Sequence, residues 1–162
     1  MDALTPVITL HALAACYVLL LGPLQILRRR RDLAHRVLGT SWVTAILVVC
    51  ISSFWIAPDG SSWLHGLSVW TLMCMVAAIV GIRAGNVGVH RGFMVGSYLG
   101  TLAAFAFAAL VPSRLIPQLL RSEPLIVVAT ALGVGAIVLG VHLSVVRAAG
   151  RRPQHEPARA AN

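Results

Sequence analysis

Four histidines, His11, His35, His65 and His90, and the arginines that directly follow two of them, Arg36 and Arg91, are the residues of this chain whose type and spacing could do chemistry. The doublets sit in RRRRDLAHRVLG (28–39) and GNVGVHRGFM (85–94), each just ahead of an apolar stretch. Neutral imidazole suits iron, and its second nitrogen can be oriented by a backbone carbonyl. Two imidazoles facing each other across a helical bundle therefore form a natural axial pair for haem iron. Other chemistries lack equipment. Asp2, Asp32, Asp59, Glu123 and Glu156 all fall in loops or tails, whereas ion-coupled carriers usually need carboxylates within the membrane. There is no Ser-His-Asp set, phosphate-cradling glycine loop or H-E-x-x-H helix.

The elements that must position these histidines follow from composition. With 58% hydrophobic and 11% charged residues in 162, the chain lies outside the range of soluble globular domains and reads as an all-α membrane protein. Five stretches, about 6–27, 37–56, 63–82, 92–111 and 125–146, are long and apolar enough to span a bilayer. The first lacks a basic lead and a cleavage signature, so it reads as a retained helix. Eleven arginines flank one set of helix ends, including Arg28–Arg31, Arg36, Arg83, Arg91, Arg147 and Arg151, against Arg114 and Arg121 on the other. That bias predicts the N-terminus outside and the C-terminus inside, in a bacterial inner membrane. The charge of +8 then reflects topology and contact with membrane lipid, not nucleic acid. Residues 1–147 form one five-helix transmembrane domain, and 148–162 read as a disordered basic cytoplasmic tail. Helices 1 to 4 are expected to form the core bundle. Helix 5, uniformly apolar, is peripheral. Cys16, Cys50 and Cys74 lie within apolar helices without C-x-x-C spacing and read as packing residues.

Drawn on that topology, the histidines sort by depth. His11 and His65 lie near the outer ends of helices 1 and 3, and His35 and His90 at the inner ends of helices 2 and 4. At the helical rise the two layers are about 20 Å apart, too far for one four-histidine site but suited to two haem centres. Ala14, Ala15, Gly39 and Gly66 leave room near the histidines, while Gly96 and Gly100 equally suit a helix-packing seam. Arg36 and Arg91 are candidate partners for haem propionates. The plainer reading is that the His-Arg doublets are interfacial anchors. His11 resists it, because ionisable groups inside a span are rare. His142, near the inner end of helix 5, and His155, in the tail, have no matching partner.

The order H-A-L-A-A in helix 1, H-R-V-L-G at helix 2, a Trp-rich outer turn and G-I-R-A-G-N-V-G-V-H-R-G-F-M before helix 4 resembles the bacterial membrane proteins of domain-of-unknown-function family 2306, over residues 8–110. That family brings no established activity. More distantly, the alternating histidines are similar to those of two-haem transmembrane b-type cytochromes, which pass electrons between a small reductant or quinone and an acceptor. This resemblance implies ligand pairs His11 with His65 and His35 with His90, and one or two haem b groups. Three readings stay open. They are a quinone- or superoxide-linked membrane oxidoreductase, a small-molecule channel or carrier, and a structural accessory subunit that packs against a partner membrane subunit.

Overall fold

The computed structural model describes residues 4–151 apart from 29, 57–59, 61 and 113, with side chains described from residue 6 onward. The described residues are helical: α1 Leu4–Leu27, α2 Leu33–Ser53, α3 Trp63–Arg83, α4 Val87–Leu110, α5 Leu115–Ser122 and α6 Pro124–Gly150. All but α5 are long and apolar enough to cross a membrane. The windows of α4 and α6 are each only 6% buried. Residues such as Leu132 and Ile137 are accordingly exposed at 70% and 65%, a surface suited to lipid.

Helices α1 and α2 form one antiparallel hairpin and α3 and α4 another. α2 packs beside α3 and α4 beside α1, so the four make a square. Among the described residues, the backbones of α1 and α3 do not approach closely, nor do those of α2 and α4, which places both expected histidine pairings on diagonals. α6 lies outside the square against α1 and α2, peripheral as its composition suggests. It still contributes Val138 to a core built around Val18, Leu21, Leu38, Trp42, Ile46 and Met75. Cys50 joins that core, and all three cysteines are free thiols.

Two local devices fix this packing. Pro23 lies inside α1 and cannot donate to the Leu19 carbonyl one turn earlier, and the Tyr98 hydroxyl of α4 approaches that carbonyl at 3.4 Å. The neighbouring Gly22 admits the Tyr98 ring, since any Cβ there would collide with it. Beside this crossing, Trp42 Nε1 of α2 donates to the Val18 carbonyl at 3.0 Å, so the buried indole is satisfied.

The structure departs from the sequence expectations in four places. α2 and α4 begin at Leu33 and Val87, about one turn before the apolar runs, because Asp32 and Asn86 cap them: Asp32 accepts the His35 N–H and Asn86 the Val89 N–H, each at 3.0 Å. Gly85, at φ +75°, closes the preceding turn. The link between the last two spans, for which the sequence offered no element, contains α5, whose Leu115, Ile116, Leu119 and Leu120 fall on one face and Gln118 and Arg121 on the other. Residues 148–150, assigned to the tail, continue α6; the rest of the tail lies outside the described residues, apart from Arg151. The small-residue seam at Gly96 and Gly100 does not form within the chain, since Gly96 faces open space and Gly100 meets only Leu67 at 3.9 Å. Gly39 and Gly66 also face open space.

Candidate functional site

Polar side chains gather at both ends of the bundle, in different states. The end carrying Trp55 and Trp63 holds His11 and His65, and each meets the last turn of α2. His11 Nδ1 lies 2.9 Å from Ser52 Oγ. The serine hydroxyl points at the Val48 carbonyl, 2.6 Å away, so its oxygen accepts the His11 Nδ1–H and Nε2 keeps the lone pair. His65 is used at both nitrogens. Nδ1 accepts the Ser62 backbone N–H at 2.9 Å, in the manner of a capping box, so Nε2 carries the hydrogen and donates to the Ser53 carbonyl at 3.1 Å. Its ring stacks on Phe54, and Ser53 and Ser68 complete the joint at 2.9 Å. In this arrangement His65 has no lone pair left for a metal, and it serves to tie α2 to α3.

The arginine end is built differently. His35 extends the core stripe of α2 (Leu38, Trp42, Ile46) by one turn, and His90 does the same for the α4 stripe (Met94, Tyr98). Both rings are half-buried, and they lie close enough to act on each other electrostatically, with Arg28, Arg31 and Asp32 within the same range of His35. His90 Nδ1 donates to the Ala78 carbonyl of α3 at 3.0 Å, which leaves Nε2 as a lone-pair nitrogen held in a fixed orientation. His35 Nδ1 is buried without a partner. The structure thus places the inner pair on diagonal helices within electrostatic range of each other, with ring nitrogens available, and ties the outer pair into helix joints. As an axial pair for a haem iron, the inner residues fit, whereas the outer two do not, because His65 has no lone pair to set opposite His11 Nε2.

The charged surroundings of this level are mostly basic. Arg28 bonds Asp32 at 2.6 Å, and the Arg28 guanidinium, followed by the His35 N–H, holds the Asp32 carboxyl below the usual carboxylate range. Arg36 and Arg91 are exposed and directly follow the two histidines in the chain. Arg29 lies outside the described residues.

Two residues at this level had no role in the sequence reading. Gln25 follows Val18 and Leu21 on the inward stripe of α1, and His142 lies between Val138 and Val145 on the inward stripe of α6. Both amide atoms of Gln25, His142 Nδ1 and Arg28 Nε are buried without hydrogen-bond partners. The signal was present in the sequence as a polar residue continuing an i, i+3, i+7 apolar stripe. It was masked because the windows containing Gln25 and His142 are apolar all round.

The sequence model of one family, described as "Predicted membrane protein (DUF2306)", matches residues 8–146, well past the 8–110 stretch that carries the motifs. No curated protein and no solved structure matches the chain.

Proposed function

The chain belongs to that family of membrane proteins, and we propose that it is an electron-transfer protein of the bacterial cytoplasmic membrane that holds a b-type haem between His35 and His90. One observation carries the reading. Two half-buried imidazoles on diagonal helices lie within electrostatic range of each other, the first with an unpartnered nitrogen and the second oriented by a backbone carbonyl. A haem bound there would supply a reversible one-electron couple, with two imidazoles favouring the low-spin form.

The chain's own residues account for the rest. The Ala78 carbonyl fixes the His90 ring so that Nε2 presents its lone pair, as a hydrogen-bond acceptor behind a ligating histidine does. Asp32 starts α2 and so sets the position of His35 in its first turn. Arg36 and Arg91 offer guanidinium groups to propionates at the arginine end, which we place on the cytoplasmic side from the charge bias. The apolar layer of Leu21, Leu38 and Met75 beyond the histidines keeps water from that side of the site. His11 and His65 are helix joints in this reading.

Full-length protein made with ample haem supply and purified in detergent is expected to show reduced-minus-oxidised bands of a low-spin b-type haem, at about one haem per chain. Colourless, folded protein would overturn the proposal and leave the His-Arg doublets as interfacial anchors of an accessory subunit or carrier.

A further inference from the structure

Beyond the histidine pair, Gln25 and His142 stand out because nothing within the chain explains them. Buried polar atoms are hydrogen-bonded in the great majority of cases, and leaving one unpaired in an apolar region carries a desolvation cost. Here Gln25 has both amide atoms buried and unpartnered, and so is His142 Nδ1. Both lie on the arginine-end side of the core. Gln25 is one turn beyond Leu21, and His142 one turn beyond Val138. Both core residues belong to the same cluster, both steps run toward the arginine end, and α1 packs against α6. Leu24 and Val145, flanking the two polar residues, are packed on that same cluster.

The chemistry of the pair selects a ligand. An amide and an imidazole are uncharged donors and acceptors, and Arg28, three residues along the chain from Gln25, is already paired with Asp32. A phosphate or carboxylate would find no free positive charge among these contacts. The walls are aliphatic, and the outer face of α6, with Val141 41% and Leu143 40% exposed, borders the lipid. We infer that the α1–α6 seam at Gln25 and His142 binds a neutral, carbonyl-bearing, lipid-soluble ring of the quinone class, with the Gln25 amide and the His142 imidazole meeting its oxygens. Its meaning as an electron donor or acceptor site beside His35 and His90 rests on the function proposed above; binding itself does not.

The test is a thermal melt of the full chain in detergent with and without decylubiquinone, on wild type, Gln25→Leu, His142→Leu and, as a control at the other end, His11→Leu. Wild type and the control should be stabilised by the quinone, because a ligand that binds only the folded state raises its melting point. Neither variant side chain has a partner to lose, so Gln25→Leu and His142→Leu should melt no lower than wild type without quinone. Their quinone affinity should fall at least about fivefold, as for one lost hydrogen bond. Absence of a shift in wild type, or equal shifts in all four proteins, overturns the inference, as does quinone-independent destabilisation of both leucine variants. A haem-containing protein that ignores quinone sinks this inference alone. A colourless protein whose quinone shift depends on Gln25 and His142 sinks the haem reading alone.

Discussion

Four histidines that look alike in the sequence differ residue by residue: His65 is bonded at both ring nitrogens, His11 is held to a serine through one, His90 to a carbonyl through one, and His35 has a buried nitrogen without a partner. His65 uses both ring nitrogens, so His65→Ala should lower stability by about 1–3 kcal/mol, the range for a lost cap together with an unsatisfied buried carbonyl. A denaturation series in detergent measures it. His35→Leu removes an unpartnered nitrogen and should leave the haem-free protein about as stable as wild type. Asp32 gives a pH dependence. Its folded carboxyl titrates below the ordinary range, so its contribution is present above that range and fades as the pH falls through the lowered value. Asp32→Asn keeps a capping side chain but should flatten this acid-side loss. An equally steep loss in the variant would mean that other groups control it. The residue types were legible in the sequence. Which nitrogen each ring keeps free was not, because that depends on Ser52, Ser53 and Ala78, residues that carry no signal of their own.

At the level of elements, the five spans could be read from apolar length alone, and their starts could not. A window of hydrophobicity begins where the apolar run begins, whereas the helix begins where a side chain caps it, and Asp32 and Asn86 do so about one turn earlier. That turn carries His35 and His90 from the apparent boundary of the membrane span into the first turn of a helix. The close helix approaches were also misplaced by small-residue spacing. Gly22 and Gly81, not Gly96, are the glycines that a neighbour fills: an added Cβ at Gly81 would lie 2.7 Å from Val89 Cγ1, and one at Gly22 would run into the Tyr98 ring. Gly22→Ala and Gly81→Ala should each destabilise by about 1–3 kcal/mol through overpacking. Gly96→Ala should be neutral or slightly stabilising, since its surroundings are open. Melting points of the three variants decide it, and a loss at Gly96 matching that at Gly22 would point to a partner helix on α4.

For the whole molecule, the diagonal square follows from the order of contacts and gives the alternating histidines their geometry. Charge asymmetry predicts that the arginine end faces the cytoplasm. Reporter fusions at Arg31 and Asn86 should read inside, and one at Glu123 outside. An outside reading at Arg31 would invert the placement of His35 and His90 without disturbing their pairing. The most direct test of the central claim is the haem content of the full chain and of its four single His→Ala variants, read from reduced-minus-oxidised spectra. About one low-spin haem per chain is expected in wild type, retained in His11→Ala and His65→Ala and lost in His35→Ala and His90→Ala. Folded wild-type protein without haem, or a haem that depends on His11 and His65 and survives at His35 and His90, would contradict the account.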